Sequence, residues 1–269
     1  MAEHVAGEAT AYLMSVFRKP MAVEHKGGPH DLVTEHDHAS ERILRDGLRR
    51  AVPDSGVVGE EGGSSGSGRV TWHVDPIDGT VNFSHGLAHW CVSIAAAVEG
   101  EVVAGVVAAP ALGEVYAADL TGVTVNGWPA GPRRLERELD SLVIGTFPRG
   151  VDLEANGDDA LVESGRLVRA YGAVRTLGSG ALGLAHVATG RADATFDLHT
   201  SSWDVAAGAL MVRLGGGRYL GCDDDGVIDE DPRTSWLRRA YWATASDVEH
   251  PTLAATVTRL TRSSRSSGA

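Results

Sequence analysis

The sequence predicts a mixed α/β (α+β) fold, because its two halves carry different hydrophobic patterns. In the first half, apolar residues alternate with other residues in consecutive segments that turns separate, which is typical of an antiparallel meander. From about Leu139 onward, short strand-like segments alternate with longer helix-like segments, as they do in α/β units. We therefore expect two halves, residues 1–138 and 139–269.

Composition and charge narrow the class of protein. A chain of 269 residues with 43% hydrophobic content can bury a substantial core. No apolar run approaches the length of a membrane span, and the N-terminus has no basic region followed by an apolar one. We therefore expect no membrane partner and a cytoplasmic location. The formal net charge of -12 argues against binding nucleic acid through its phosphates. Cys91 and Cys222 are too few for a disulfide framework.

The N-terminal part is predicted to contain two helices with a loop between them. Apolar residues recur at a helical spacing over residues 3–18. Residues 26–30 are predicted to form a flexible loop. A second helical pattern follows Asp37, so that one interpretation makes Asp37 an N-cap. His36 and His38 lie among carboxylates that suit hard cations, and we expect these imidazoles to be exposed and not to bind metal.

The segment from Val70 to Gly86 contains the central motif of the chain. A strand-like alternation ends in Asp-Pro-Ile-Asp-Gly-Thr, residues 75–80, which puts two carboxylates at a strand-to-helix turn. Gly79 permits a close backbone approach, and Thr80 offers a hydroxyl beside unpaired helix amides. Carboxylates there can hold hard cations while the amides hold phosphate oxygens. The alternative is an ordinary Asp-Pro turn with an N-cap.

Turn and strand signals continue on both sides of this segment. Residues 62–68 contain only glycine and serine, and we expect a mobile loop at the rim of the site. After the central segment, alternation predicts three meander strands at residues 90–98, 102–108 and 114–118. Asn-Gly at residues 126–127 predicts a further turn.

The second half is predicted to alternate between strands and helices. The expected elements are a strand at 142–145, a helix at 155–165, a strand near 174, a helix opened by 178–181 and running to about 189, a strand at 192–197 and a helix at 203–215. Gly-Ser-Gly at the start of the middle helix can present bare amides to a ligand or form a simple turn. Residues 222–231 are predicted to be a solvated acidic loop, and residues 263–269 a disordered tail.

Three further acidic clusters accompany the central segment. Gly-Glu-Glu-Gly occupies residues 59–62, Trp-Asp-Val-Ala-Ala-Gly occupies residues 203–208, and Asp-Leu-Val-Thr-Glu-His-Asp occupies residues 31–37. Together with Asp-Pro-Ile-Asp-Gly-Thr, and in the same order, these residues resemble the inositol monophosphatase family of Mg²⁺-dependent, lithium-sensitive phosphatases. The resemblance extends over most of the chain, from about residue 26 to residue 217.

This resemblance implies a layered α/β/α/β/α sandwich with a metal site between the two halves. The site would hold two or three Mg²⁺ ions, which Mn²⁺ replaces in part. Glu60, Asp75 and the backbone carbonyl of Ile77 would bind the first ion. Asp75, Asp78 and Asp204 would bind the second. The first half would thus supply most of the metal ligands, and the second half would supply the last one together with substrate contacts.

The resemblance also implies roles in catalysis. Asp37 and Thr80 would position the nucleophilic water, and Glu61 would orient or support metal-bound waters. The backbone amides of Gly79 and Thr80 would bind phosphate oxygens. The predicted catalytic residues are therefore Asp37, Glu60, Glu61 and Thr80. The predicted substrate-binding residues are Asp78, Gly79, Thr80, Ser179, Gly180, Asp197 and Asp204.

Three other residues near these motifs have open interpretations. In the family, a lysine at the position of Lys26 lies on a mobile loop near the site, and the alternative is an ordinary solvated lysine. His85 and His89 follow the central motif closely, and we interpret both as structural.

Asp197 is a departure from the family pattern. Seven residues before the aspartate of Trp-Asp, inositol phosphatases usually carry a glutamate that hydrogen-bonds a hydroxyl of the leaving alcohol. One methylene fewer shortens the side chain by about 1.5 Å. We therefore expect Asp197 to reach that hydroxyl through a water, or to serve a substrate whose polar group projects further. The alternative is that Asp197 ends a strand in a solvated turn.

The motifs and the family resemblance together predict a Mg²⁺-dependent phosphomonoesterase. It would act by direct water attack on a small polyol, sugar or related metabolite phosphate. Inositol monophosphate is the default substrate. Histidinol phosphate, fructose bisphosphate and 3′-phosphoadenosine 5′-phosphate are alternatives within the family. The alternative from another class is a catalytically silent metal-binding or regulatory protein that retains the fold. Relatives of this kind are usually homodimers, and we expect the same here.

Overall fold

The computed structural model describes residues 1–26, 32–132 and 137–266, with side chains described as far as residue 262. The elements of the first half are, in chain order, α1 (Ala2–Val16), β1 (Val23–His25), β2 (Leu32–Thr34), α2 (Glu35–Ala51), β3 (Ser55–Gly59), β4 (Gly63–Ser65), β5 (Val70–Asp78), α3 (Thr80–Ser84), β6 (Cys91–Val98), β7 (Glu101–Ala109), β8 (Glu114–Asp119), β9 (Gly122–Val125) and β10 (Trp128–Pro129). Those of the second half are β11 (Leu142–Gly145), α4 (Gly150–Asn156), α5 (Asp158–Ala170), β12 (Ala173–Thr176), α6 (Gly180–Ala188), β13 (Ala194–Asp197), α7 (Ser202–Leu214), β14 (Arg218–Cys222), β15 (Ile228–Asp229), β16 (Ala240–Thr244) and α8 (Pro251–Ser266).

The first sheet contains the central strand β5. Its strand order is β10-β9-β8-β7-β6-β5-β3-β4, and the neighbours are antiparallel except for the parallel pair of β3 and β5. Strands β6, β7 and β8 form the predicted meander. Helices α1 and α2 cover one face of this sheet, because their apolar side chains pack into one cluster with those of β5 and β6, including Leu13, Leu44, Leu48, Val74 and Ile94.

The second sheet has the order β12-β11-β13-β16-β14-β15. Strand β11 is parallel to both of its neighbours, whereas β16 is antiparallel to β13 and β14. Helices α5 and α8 cover the outer face, where their apolar residues pack against the strands, including Leu167, Leu253, Val257, Phe196 and Trp242. The alternation of strands and helices predicted for this half is therefore confirmed.

Helices α6 and α7 fill the space between the two sheets. One cluster joins their side chains to inward-facing residues of β6, β7, β14 and β16, including Ala95, Val107, Leu184, Tyr219 and Tyr241. Small residues permit this close packing, because a Cβ added to Gly105 of β7 would lie 2.9 Å from the Cα of Ala207 in α7. The layers are thus helices, sheet, helices, sheet and helices, and the predicted α/β/α/β/α architecture is confirmed.

The prediction of a mobile loop at residues 62–68 is wrong for its first half. Residues 63–65 form strand β4, which pairs with β3 in an antiparallel register. The hydroxyl of Ser65 accepts hydrogen bonds from Arg45 at 2.5 Å and from Arg49 at 2.7 Å. Glycine and serine composition predicts flexibility only where no such partners exist, and both partners come from α2.

Other local predictions need smaller corrections. The single helix expected at 155–165 is the pair α4 and α5, divided at Gly157, whose φ of 55° interrupts a helix. The acidic loop at 222–231 contains the short strand β15. Helix α8 continues to Ser266, into the predicted tail, because propagation of a helix adds one hydrogen bond per residue. Residues 267–269, and residues 27–30 of the predicted N-terminal loop, lie outside the described residues.

The two predicted halves each contain one of these sheets. Strands β3 to β10 lie before residue 138, and strands β11 to β16 lie after it. Because α6 and α7 pack against both sheets, the halves share a core, and their division into separate units stays a prediction. In the ranges that the structure describes, no helix has both the length and the apolar character needed to cross a bilayer.

Candidate active site

A bulge in β5 brings two predicted metal ligands to one face of the sheet. Asp75 and Asp78 pair with residues that are only two apart on β6, so that two residues of β5 face one residue of β6. Without the bulge, side chains three residues apart would point to opposite faces. The amide of Ile77 donates to Asp75 Oδ1 at 2.9 Å, which satisfies a donor inside the bulge. The strand therefore extends three residues beyond the end that alternation predicts.

Gly79 makes the turn from β5 into α3. Its φ is 96°, and an added Cβ would lie 3.1 Å from the carbonyl oxygen of His89 and 3.2 Å from that of Gly178. Only glycine fits such a conformation without strain. The alternative of an Asp-Pro turn with an N-cap is wrong, because Asp-Pro lies within β5 and Gly79 itself occupies the N-cap position.

Asp78 accepts hydrogen bonds from the first turn of α6. Its Oδ2 accepts from Ser179 Oγ at 2.6 Å and from the amide of Ala181 at 2.7 Å, and its Oδ1 accepts from the amide of Gly180 at 3.3 Å. Burial raises the pKa of Asp78, and these donors oppose the rise. The turn at residues 179–181, which is predicted to bind substrate, therefore hydrogen-bonds a predicted metal ligand. Its contact with substrate stays a prediction.

Asp37 is buried in the first turn of α2 and contacts Thr80. The N-cap is Thr34, whose amide and hydroxyl both donate to Asp37 Oδ2, at 2.8 and 2.7 Å. The interpretation of Asp37 as the N-cap is therefore wrong, because Asp37 is the third helical residue and completes a capping box. Its other oxygen, Oδ1, lies 3.0 Å from Thr80 Oγ1. The structure thus brings together the two residues that we expect to position water.

Glu41 shapes the turn that carries Glu60 and Glu61. Its buried carboxylate accepts from the amides of Glu61 and Gly62 at 2.7 and 2.8 Å, and from Arg45 Nε at 2.6 Å. A Cβ on either flanking glycine, Gly59 or Gly62, would lie 2.7 Å from this carboxylate. The glycines of Gly-Glu-Glu-Gly are therefore required by a buried acid from α2.

Lys26 lies between the two glutamates of this turn. Its Nζ is 2.9 Å from Glu60 Oε1 and also donates to Glu61 Oε1. Burial lowers the pKa of Lys26, but the two carboxylates outweigh burial and the pKa lies above its ordinary value. These contacts favour the interpretation that places Lys26 near the site over that of a solvated loop lysine.

Asp204 belongs to the first turn of α7. Its Oδ2 accepts from the amide of Ser201 at 2.6 Å, as part of a capping box. The next residue along from that amide, Ser202, places its hydroxyl 2.8 Å from Nδ1 of His73 in β5. This contact fixes the start of α7 against the central strand and so brings an acid of the second half to the metal ligands of the first.

The predicted metal ligands share a buried and negatively charged environment. Burial raises the pKa of Glu60 to about 7 and raises those of Asp75 and Asp204 well above their usual range. Electrostatic repulsion from Glu60, Asp78 and Asp204 raises the pKa of Asp75 further. Within the described ranges, no three His, Cys, Asp or Glu side chains take up a metal-coordinating arrangement. The metal-ligand roles therefore stay predictions.

A cleft of about 470 Å³ lies beside these acids. One part of its wall carries the motif residues of the first half together with the start of α7, namely Glu60, Asp78, Gly79, Thr80 and Asp204. The remainder comes from the second half and includes Thr146, Arg149, Gly180, Asp197 and His199. Three of the predicted metal ligands, Glu60, Asp78 and Asp204, thus line one cleft with the predicted alcohol-binding residue Asp197.

Asp197 is buried in this wall, and both of its oxygens are hydrogen-bonded within the protein. Oδ1 accepts from Arg149 Nη2 at 2.6 Å and from the amide of His199 at 2.9 Å, while Oδ2 accepts from Thr146 Oγ1 at 2.5 Å. The alternative of a solvated turn is wrong, because the side chain is only 4% exposed. The contact of Asp197 with an alcohol stays a prediction, and Arg149 is its closest charged neighbour.

The histidines beside the motifs agree with their predictions only in part. His36 is buried and lies 2.9 Å from the hydroxyl of Tyr12 in α1, so that the prediction of exposure is wrong for this residue. Its ring packs between Tyr12 of α1 and Phe83 of α3. His38 is 53% exposed, as predicted. His85 contacts the backbone of its own helix and His89 packs against a histidine of α6, which fits the structural roles that we expect.

Two residues of the site, Glu41 and Arg149, were not predicted from the sequence. The signal for Glu41 was the pair of glycines around Glu60 and Glu61, which leave room for a third carboxylate. Arg149 belongs to no motif. It does follow β11, a strand with parallel neighbours on both sides, and ligands commonly bind beyond the carboxyl ends of such strands.

Comparison with known proteins agrees with the motifs. Residues 1–262 match the model of the inositol monophosphatase family. An inositol-1-monophosphatase of Rhizobium meliloti is 39% identical over 198 residues, which cover 71% of this chain and 72% of that protein. A Nus factor SuhB of Pseudomonas aeruginosa is 40% identical over 197 residues, which cover 70% and 71%.

The fold agrees as well. The solved structure of an IMPase from Thermotoga maritima superposes with a TM-score of 0.80 and 29% sequence identity, over 98% of this chain and 96% of that chain. The family model covers almost the whole sequence, including every motif on which the site is built. The chain therefore belongs to the inositol monophosphatase family.

Proposed function

We propose that this protein is a Mg²⁺-dependent phosphomonoesterase that releases a small polyol, sugar or related metabolite from its phosphate, with inositol monophosphate as the default substrate. Its family is one of phosphoric monoester hydrolases. One observation carries the proposal. Four buried acids from both halves, Glu60, Asp75, Asp78 and Asp204, lie beside a cleft that also contains the Gly79–Thr80 turn.

The residues present fit a hard divalent cation. Their donor atoms are all oxygens, four carboxylates and one backbone carbonyl, and Mg²⁺ prefers oxygen. Burial first and neighbouring acids second raise the pKa values of Asp75 and Asp204, and a bound cation would favour their charged forms. Glu60, Asp75 and the carbonyl of Ile77 would hold one ion, and Asp78 and Asp204 would share a second with Asp75. Bound there, the ions would lower the pKa of a water and stabilise the leaving oxygen.

Asp37 and Thr80 would position the attacking water. Thr80 Oγ1 lies 3.0 Å from Asp37 Oδ1 and 3.1 Å from the carbonyl oxygen of Ile77, so that its single proton has two acceptors. The lone pairs of the hydroxyl remain for a proton of the water. Two hydrogen bonds from Thr34 prevent the carboxylate of Asp37 from turning. This pair therefore forms a fixed acceptor, and Thr80 is the member that lines the cleft.

Backbone and acidic groups would complete the site. The amides of Gly79 and Thr80 would bind phosphate oxygens, because a helix start favours an anion. Glu61 would orient or support waters near the ions, and Glu41 holds the backbone of that turn in place. Ser179 and Gly180 would contact the substrate beside Asp78.

We also propose a cytoplasmic homodimer that binds a small phosphate monoester and neither nucleic acid nor membrane. The net charge of -12 supports the exclusion of nucleic acid, since phosphates would be repelled. The polar, acid-lined cleft supports a small polar substrate.

Two kinds of alternative are tested by one experiment. Histidinol phosphate, fructose bisphosphate and 3′-phosphoadenosine 5′-phosphate are alternative substrates, and the name of the Pseudomonas aeruginosa relative supports keeping a regulatory protein as the alternative from another class. Phosphate release from these esters and from inositol monophosphate would be measured with Mg²⁺, with Mn²⁺ and with excess chelator.

We expect turnover with Mg²⁺, partial turnover with Mn²⁺, none with chelator, and inhibition by Li⁺. An Asp75→Asn variant that lacks a shared ligand serves as the matched negative control. No release from any ester with Mg²⁺ would favour the regulatory alternative. Full turnover in excess chelator would overturn the metal site.

A further inference from the structure

Arg149 is a charged group on the part of the cleft wall that the second half contributes. Its side chain is 35% exposed and lines the cleft beside Thr146 and Asp197. Its Nη2 donates to Asp197 Oδ1 at 2.6 Å. Among the residues that the structure describes, no hydrogen-bond acceptor engages its Nη1. This nitrogen therefore carries N–H donors that a molecule in the cleft can use.

Polar groups surround the guanidinium, although its buried Nε makes no hydrogen bond to the residues that the structure describes. Arg149 Nε lies 3.6 Å from Asp152 Oδ2, and Asp152 Oδ1 lies 3.3 Å from Nε2 of His199. On the other side of that imidazole, Nδ1 lies 2.6 Å from Arg239 Nη2. A guanidinium can only donate, so Nδ1 accepts, and the imidazole is neutral with its proton on Nε2. The hydrogen bond to Asp197 thus orients the guanidinium before any ligand arrives, which lowers the entropic penalty of binding.

The balance of charge determines which kind of ligand these donors suit. Two arginines, Arg149 and Arg239, face two carboxylates, Asp152 and Asp197, and the imidazole between them is neutral. Asp204 lies close enough to add its own negative field at Arg149. The wall therefore has no excess positive charge to attract a second phosphate. A neutral hydroxyl oxygen needs only an N–H donor and meets no repulsion.

We propose that Arg149 recognises the leaving alcohol as a neutral polyol, by donating from Nη1 to a hydroxyl oxygen, and that Asp197 is the residue that positions Arg149. This inference rests on the proposed phosphomonoesterase function. Because both oxygens of Asp197 are already bonded within the protein, the group that the alcohol meets is a donor and not an acid. Polyol monophosphates are then better substrates than sugar bisphosphates or the phosphates of amino alcohols.

The test compares three esters on wild type and variants. Inositol 1-phosphate presents neutral hydroxyls, fructose 1,6-bisphosphate presents a second anion, and 4-nitrophenyl phosphate presents neither. The variants are Arg149→Ala, Arg149→Lys, Asp197→Ala and the Arg149→Ala/Asp197→Ala double variant. Arg69→Ala, at a 77% exposed arginine paired with Glu99, is the matched control. Thermal unfolding of each variant verifies that it is folded.

We expect Arg149→Ala to lower the ratio of kcat/KM on inositol 1-phosphate to kcat/KM on the aryl ester by about 10- to 100-fold, mainly through KM, as loss of a hydrogen bond from a charged group predicts. Arg149→Lys, which keeps a positive partner for Asp197, should also lower the ratio. Asp197→Ala should lower this ratio by a similar factor. The double variant should lower it little further, because both changes disrupt the same interaction with the alcohol. Arg69→Ala should leave it unchanged.

Other outcomes would overturn the inference. An unchanged ratio in both Arg149 variants, or a loss confined to the bisphosphate, would exclude recognition of a neutral polyol. Turnover of the aryl ester without turnover of inositol 1-phosphate by wild type would also exclude it, while leaving the phosphatase function intact. If wild type hydrolyses no ester, the proposed function fails separately. In that case, calorimetric titration with free inositol tests the inference. Wild type should bind inositol and Arg149→Ala should not. Equal binding by both proteins, or binding by neither, would overturn the inference.

Discussion

Asp78 at the end of β5 and Ser179 at the N-cap of α6 are joined by a 2.6 Å hydrogen bond, although 101 positions separate them in the chain. The bond crosses from the first half of the sequence to the second. Asn82 makes a parallel connection, since its Nδ2 donates to the carbonyl oxygens of His89 and Leu177, both at 2.7 Å. The geometry of the acids in the first half therefore depends on the correct docking of the second half.

Asp78 and Asp204 should each be essential for turnover. We expect Asp78→Asn and Asp204→Asn to lower kcat by at least about 100-fold, because stabilisation of charge in the transition state is worth several kcal/mol. His85→Gln, at an exposed neighbour of the same motif, should have a much smaller effect. The measurement is steady-state phosphate release over a range of Mg²⁺ concentrations. Near wild-type kcat in Asp78→Asn with an unchanged Mg²⁺ requirement would show that the assignment is wrong.

Glu41→Gln should loosen the turn of Glu60 and Glu61. The variant weakens two amide hydrogen bonds and an ion pair with Arg45 at a buried position. We expect a loss of about 1–3 kcal/mol in the free energy of unfolding and a higher Mg²⁺ concentration for half-maximal activity. Urea denaturation and Mg²⁺ titration measure the two effects. Glu8→Gln, at a partly exposed glutamate of α1, is the control. An unchanged Mg²⁺ dependence would limit Glu41 to a role in stability.

Gly79→Ala should be more harmful than the same change at another glycine with positive φ. Gly79 and Gly100 have φ values of 96° and 85°, but only at Gly79 does an added Cβ meet backbone, 3.1 Å from the carbonyl oxygen of His89. At Gly100 nothing lies within 4 Å. We expect about 1 kcal/mol of destabilisation from conformation alone at Gly100 and a larger loss, with reduced kcat, at Gly79. Equal losses of stability with full activity would indicate that the contact relaxes freely.

His186 should make stability depend on pH. Burial, with help from His89 and Arg191, lowers the pKa of His186 to about 4, against about 6.5 in an unfolded chain. Between these values the unfolded state binds more protons, so that stability is fully present above about pH 6.5 and falls as the pH approaches 4. The loss is about 3 kcal/mol. His186→Gln should flatten this part of the profile in urea denaturation, whereas His4→Gln at an exposed site should not. Identical slopes in wild type and His186→Gln would contradict the prediction.

Much of this fold could be predicted because its strands carry local signals. The meander of β6, β7 and β8 has alternating apolar residues and glycine-containing turns, and α7 has a capping aspartate followed by small apolar residues. The motifs of the site were also visible, because Asp75, Asp78 and Gly79 lie close together in sequence. Local chemistry therefore determined these parts.

The parts that were missed depend on contacts between distant residues. Strand β4 has the composition of a flexible loop, but it pairs with β3, and Arg45 and Arg49 of α2 reach Ser65. His36 is buried against Tyr12 of α1 and Phe83 of α3. Arg149 is oriented by a hydrogen bond to Asp197, which is 48 positions away in the chain. A single sequence contains no record of such pairings, so the wall of the cleft could not be predicted in the way that its motif could.

The extra residue in β5 has a second effect, on the main chain. If β5 were one residue shorter between Asp75 and Asp78, the strand would be regular and both carboxylates would still share a face, since residues two apart do so. The peptide groups between them would then be paired with β6. In the bulge they stand outside the regular pairing, and the Ile77 carbonyl oxygen faces the hydroxyl of Thr80 at 3.1 Å. One extra residue in the strand thus takes a peptide carbonyl out of sheet pairing and turns it toward the turn that follows β5, where the Thr80 hydroxyl donates to it.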